Sequence, residues 1–138
     1  MLVENRSERE TDDSEINKLA DIVRQTAFEI HRYLKHGHFE KVYENALSHR
    51  LRKLGIIVQQ QYPLTVRDED GIILGDYFAD LFIEDRLVVE IKACKSIVDD
   101  HIAQLLGYLR SSGVEHGLLI NFGAPVFRIR KLVLRNED

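Results

Sequence analysis

The chain has 138 residues, enough for one domain with a real core and too few for two comfortable ones. It is 44% hydrophobic and 30% charged, with no apolar run near 18 residues and no apolar leader, which argues against a membrane span or a signal peptide. A net charge of −4 argues against a strong general nucleic-acid binder, and the single Cys94 has no internal disulfide partner, so a reducing, cytoplasmic setting is expected.

The charge is uneven. Residues 1–15 carry six acids against Arg6 and Arg9, a balance of −4; the rest is neutral, with 17 acids and 17 bases. Residues 1–13 are therefore expected to form a flexible acidic arm and residues 14–138 the folded domain. From Ser14, a plausible cap, Ile16, Leu19, Ala20, Val23, Ala27, Ile30 and Leu34 recur at helical steps, and Gly37 ends the pattern. The adjoining His36-Gly37-His38 could chelate a transition metal, but no third ligand is near in sequence and an exposed turn is the plainer reading. A second helix is expected from about Phe39 to Leu54, ended by Gly55.

The period then changes. IIVQQQYPLTVRD reads as a strand, with Pro63 suggesting an edge or a bulge. After the turn DEDG, IILGDYFADLFI is a long strand that bends at Gly75, and RLVVEIKA is a third. Strict alternation puts Tyr77, Ala79, Leu81 and Ile83 on one face and Phe78, Asp80 and Phe82 on the other. In the next strand Val88, Glu90 and Lys92 share a face, opposite to Leu87, Val89 and Ile91. A three-residue loop, Glu84-Asp85-Arg86, sets Ile83 against Leu87 and Asp80 against Glu90; a two-residue loop would set Asp80 against Val89. The odd loop is the one expected here. Two carboxylates ~4 Å apart repel by about 4 kcal/mol at an effective dielectric near 20. A divalent cation would offset that repulsion, and so in part would a salt bridge to Lys92; spacing alone leaves both open.

Residues 97–112 return to helical spacing, with Gln104, Tyr108 and His101 on a stripe beside the apolar one, and Gly113 follows. HGLLINF reads as a buried strand. FRIRKLVLR supplies Arg128, Arg130, Lys131 and Arg135, best read as an edge strand protected by charge. Cys94 has no paired base and reads as a small buried hydrophobe. The order is that of an α/β or α+β domain with a mixed sheet.

Asp80 on one strand, then Glu90-Ile91-Lys92 on the next with nine residues between the acids, followed by a helix and a strand, resembles the PD-(D/E)XK nuclease superfamily. Ala79 stands where that motif is usually written with proline. GHFEKVY at 37–43 is similar to the Gly-x-x-Glu-x-x-Tyr pattern of the GxxExxY family, as are GDYFAD, EIKA, AQLLGYL and LLINFGAP, so that the resemblance spans about residues 16–134. His36 takes the place of a proline frequent before the motif glycine.

The resemblance implies a restriction-endonuclease-like single domain, an αβββαβ core with a mixed sheet flanked by helices. It implies metal-dependent hydrolysis of nucleic-acid phosphodiesters, of DNA or RNA with DNA favoured, in repair, recombination or defence. Asp80 and Glu90 would hold Mg²⁺ or Mn²⁺, with the Ile91 carbonyl as a further ligand and Glu40 as the helical acid that completes the set; Glu44, one turn on, could substitute. Lys92 would orient the attacking water or stabilise phosphate charge, with Gln104 beside it, and Tyr108, Lys95 and Arg110 are the candidates for touching substrate. Tyr43 continues an apolar stripe, so packing with its hydroxyl tied off is expected. The alternative is a nuclease-fold module without chemistry that binds nucleic acid or a protein partner; a homodimer is a third reading.

Overall fold

The computed structural model describes residues 6–135. Three helices and five strands follow in the order α1 (Arg6–Leu34), α2 (Glu40–Lys53), β1 (Val58–Arg67), β2 (Ile73–Ile83), β3 (Leu87–Lys92), α3 (Asp99–Ser112), β4 (His116–Asn121) and β5 (Arg128–Val133). The strands form one sheet in sequence order, with β3 and β4 parallel and every other neighbour antiparallel. The single parallel step is where α3 crosses over between β3 and β4.

Two cores sandwich the sheet. On one face α1 and α2 bury Val23, Ala27, Ile30, Tyr43, Leu47 and Leu51 against Leu81, Val89, Ile91, Ile120 and Phe122. On the other, α3 buries Leu105, Tyr108 and Leu109 against Phe82, Val88 and Leu119. Both faces of β3 and β4 are therefore covered, which is why LVVEI and HGLLIN read as nearly continuous apolar runs. The edges behave differently. β5 exposes Arg128, Arg130 and Lys131, and β1 carries Pro63 on the opposite edge. Among the described residues no helix is long and apolar enough to cross a membrane.

Two expectations need correcting. Residues 6–13, expected within a flexible arm, are the first turns of α1, while residues 1–5 lie outside the described part. Ser14 is thus inside the helix and not its cap. Three acids of these first turns and the next are held by distant arginines, Asp12 and Glu15 by Arg86 and Asp13 by Arg135, while Glu10 pairs with Arg6 one turn back. The second correction concerns the alternation of β2. Leu81 and Ile83 face α1 and α2, but Ala79 lies in the α3 core and the Tyr77 ring is 4.7 Å from that of Tyr108. The strand changes face at Asp80.

Its neighbour β1 does the same: Val58 packs under the first two helices, whereas Tyr62 and Leu64 belong to the α3 side. Between them Gln61 adopts φ +51°, outside the extended range. Gln61 and Asp80 thus interrupt both strands at one level without shifting the register, since Gln60 still pairs with Leu81 and Tyr62 with Ala79, and at that level each strand changes face.

The GHFEKVY stretch has a visible structural task. Gly37 turns the chain at φ +115°, where a side chain would be strained. Tyr43 donates its hydroxyl to the Lys35 carbonyl (2.6 Å) and accepts from the His38 amide (3.2 Å). Its ring stacks on Phe122 at 4.6 Å, so Tyr43 fastens the α1–α2 turn to the sheet. His36 and His38 are exposed in this turn.

Candidate active site

The three-residue loop brings the strand acids together. Ile83 pairs with Leu87 and Leu81 with Val89, so the register sets Asp80 opposite Glu90. The ladder ends at Leu81–Val89, and beyond it, from Asp80, β2 and β3 are no longer paired, which leaves a gap between them. Asp80 fills that gap: its Oδ2 accepts the Ile91 amide at 2.7 Å, where a strand partner would otherwise bond. The Asp80 amide in turn points at Glu90 Oε1, 3.4 Å away. Lys92 has its backbone turned to β4, since its carbonyl accepts from Phe122 at 2.9 Å. Ile91, next to it, is turned to β2, so its carbonyl opens on the same side as Asp80.

Burial sets the electrostatics. Glu90 is only 5% exposed. Loss of hydration, and then the negative charge of Asp80, push its carboxyl up to about 9. At neutral pH Glu90 therefore carries a proton, which stands in for positive charge in the pair. Tyr108 borders the same space: burial, then the charge of Glu90, push its phenol up to about 12. Lys92 reaches across to α3, with Nζ 3.4 Å from Gln104 Oε1.

The two acids of α2 differ in setting. Glu40 is exposed at the first position of α2, whereas Glu44 is 3% exposed and meets Gln60 and Gln61 of β1. Glu44 accepts from Gln61 Nε2 and from Gln60 Nε2, both at 2.7 Å, and pairs with Lys41 at 2.8 Å. The same Gln61 amide lies 3.3 Å from Asp80 Oδ1, so Glu44 is linked to Asp80 through one side chain. A turn of helix separates the two glutamates, and only the second faces the sheet. Among the described residues no third carboxylate closes into a compact group with Asp80 and Glu90.

Residues 93–98 and 121–123 wall the site on the β4 side. Asn121, fully buried, accepts from the amides of Cys94 (3.1 Å) and Gly123 (3.0 Å) and donates to the Cys94 carbonyl (2.9 Å). Cys94 is half-buried, not enclosed, with its thiol 3.2 Å from the Ser96 carbonyl. Lys95 lines a groove of about 470 Å³ together with Ile97, Pro125, Arg128 and Arg130. Arg110 sits in the last turn of α3, ~9 Å along the axis from Gln104, and is exposed. The structure thus gathers Asp80, Glu90, Ile91, Lys92, Gln104 and Tyr108, keeps Lys95 at a neighbouring groove, and leaves Glu40 and Arg110 apart.

Gln61 and Asn121 escaped the sequence reading. The only signal for Gln61 is the run Gln59-Gln60-Gln61, too polar for a strand that alternates. Asn121 ends an apolar strand, where a buried amide needs partners that only the fold supplies.

The donor set suits a hard divalent cation. Two carboxylates and a backbone oxygen border one gap, and a proton on Glu90 now balances charge that a cation would balance more fully. Comparison with known proteins agrees with the architecture. The profile of the PD-(D/E)XK nuclease superfamily matches residues 17–132. No curated protein matches the chain. A solved structure described as "Crystal structure of SSO0001" is similar with a TM-score of 0.55 and 19% identity, over 70% of this chain and 50% of that one. That likeness bears on the fold alone, and this chain spans about half the length of that protein. With five strands in a mixed sheet, three flanking helices and a profile match over most of its length, the chain belongs to the PD-(D/E)XK nuclease superfamily.

Proposed function

We propose that this protein is a divalent-metal-dependent nuclease of the GxxExxY group that hydrolyses phosphodiester bonds, with DNA as the preferred substrate. The observation that carries the reading is geometric: beyond the last paired rung of β2 and β3, Asp80 accepts from the Ile91 amide and its own amide points at Glu90, with Lys92 on the same strand reaching to Gln104. Asp80, Glu90 and the Ile91 carbonyl would hold Mg²⁺ or Mn²⁺. When bound, the ion supplies Lewis acidity at the phosphate and a more acidic water.

The protein's own residues supply the rest. The Ile91 amide and Gln61 fix both oxygens of Asp80, so that its carboxylate keeps one orientation. Glu44, held by Gln60, Gln61 and Lys41, replaces Glu40 as the helical acid that supports this arrangement. Lys92 offers a compact positive charge to the phosphate or its attacking water, and Gln104 steadies the ammonium. Lys95, Arg128 and Arg130 line the groove next to the site and suit a phosphate backbone. Arg110, expected among the substrate contacts, has no part in this scheme. A reducing, cytoplasmic setting fits the free Cys94.

The test is cleavage of single- and double-stranded DNA, RNA and branched DNA by the purified chain with Mg²⁺ or Mn²⁺. Activity should vanish in EDTA and in Asp80→Ala and Lys92→Ala. Failure on every substrate sinks the enzyme reading. A binding module with a partner, or a homodimer, then takes precedence. One observation favours that second reading: among the described residues no third carboxylate closes on Asp80 and Glu90. Calorimetric titration with Mn²⁺ separates the two, because a module without chemistry has no need to bind the ion at Asp80 and Glu90.

A further inference from the structure

At the far end of the sheet a second group of ligand-type side chains converges. His116 opens β4 opposite Leu87, while Asn121 lies opposite Lys92. Five strand residues put His116 ~17 Å from the Lys92 end. Above it run the first turns of α1, with Asp12 and Asp13. One ligand atom from each of Asp12, Asp13 and His116 lies within 4.8 Å of the other two.

His116 is the telling member. It is 4% exposed, and neither imidazole nitrogen has a hydrogen-bond partner among the described residues. Buried ring nitrogens are rarely left so. Nε2 lies 3.8 Å from Asp13 Oδ1, beyond hydrogen-bonding range. The distance suits two ligands of one ion: tetrahedral sites with bonds near 2.1 Å space their ligand atoms by ~3.4 Å. The carboxylates are also braced from outside. Arg135 holds both oxygens of Asp13, at 2.9 and 2.8 Å, and Arg86 pairs with Asp12. Ligating carboxylates are commonly oriented by such outer partners.

We propose that Asp12, Asp13 and His116 form a structural site for a borderline transition metal of the zinc class, which clamps the start of α1 to the start of β4. An imidazole nitrogen with two carboxylate oxygens selects such an ion over Mg²⁺, which prefers oxygen alone. The site is distinct in position and in donor set from Asp80 and Glu90, and it stands whether or not the protein is a nuclease.

The experiment uses the full chain carrying Asp80→Asn and Glu90→Gln, which silences the strand acids. Zn²⁺ is titrated by calorimetry, and thermal unfolding is followed with and without it. One equivalent should bind and raise Tm, and Mg²⁺ should do neither. Added His116→Ala should abolish the rise, and Asp12→Asn should weaken binding at least tenfold. Asp12 is 41% exposed, so its variant reads the site even where His116→Ala fails to fold. Co²⁺ in place of Zn²⁺ should give a visible absorption band that disappears in the histidine variant. No Zn²⁺ binding in the silenced chain, or binding indifferent to Asp12→Asn, overturns the proposal.

Discussion

Glu90→Gln should make the metal-free protein more stable at neutral pH, although it removes an expected ligand. The folded protein pushes the Glu90 carboxyl from 4.5 to about 9, chiefly by burial and then by the charge of Asp80. A folded-state pKa above the unfolded one means that the folded protein favours the neutral acid. Stability from this group is then fully present below about pH 4.5 and is lost as pH rises towards 9. At pH 7 the gap from 4.5 is about 2.5 pH steps, which at 1.36 kcal/mol each comes to about 3 kcal/mol. Glutamine imitates the neutral acid at every pH: its amide oxygen can accept from the Asp80 amide and its NH₂ can donate to the Asp80 carboxylate.

Urea unfolding in EDTA at pH 4.5, 7 and 8.5 checks this directly. The variant should match the natural chain at pH 4.5, exceed it by about 3 kcal/mol at pH 7, and gain further at pH 8.5. In a chain of this size the pH 7 difference corresponds to a rise in Tm of about 10 °C. A second reading comes from calorimetry in buffers of different ionisation heat. Mn²⁺ binding to the natural chain should release about one proton, because the ion requires the carboxylate that burial disfavours. A variant less stable at pH 7, or a difference that does not change with pH, would refute the reasoning about the acid pair.

The other predictions rest on single contacts. Glu44→Gln should lower any cleavage rate by more than about tenfold, as lost outer supports of metal sites do, while Glu40→Gln should stay within about twofold; single-turnover rates decide. Gly123→Ala should destabilise the fold by about 2 kcal/mol or more, since a Cβ there would lie 2.1 Å from the Cys94 amide nitrogen and 2.3 Å from the Ala93 carbonyl carbon; unfolding by urea measures it. Tyr43→Phe should cost about 1 kcal/mol through its bonds to Lys35 and His38 and leave metal binding unchanged, which separates a fastening role from a catalytic one.

The hairpin at the centre of the site was legible before any fold was known. Period-two runs on either side of Glu84-Asp85-Arg86 leave few registers, and the odd loop among them sets Asp80 against Glu90. The helical stripes of α1, α2 and α3, the charged edge at β5 and the tied hydroxyl of Tyr43 follow from the same local rules. Those rules act over one or two turns of chain, so composition within a window carries them.

What stayed hidden depends on residues far apart in sequence. At Gln61 and Asp80 two strands change face at once, and neither strand alone announces it. Glu44 and not Glu40 is the buried helical acid because β1 brings Gln60 and Gln61 against it, while Glu40 stays exposed at the helix start. Asp12 and Asp13 looked like part of a loose acidic arm because their cations, Arg86 and Arg135, lie more than seventy positions away. Local periodicity by itself therefore determined the elements from Ser14 onward, and with the odd loop it set Asp80 opposite Glu90. Long-range packing alone decided which polar side chains meet, because a buried charge is tolerated only where the finished fold brings it a partner.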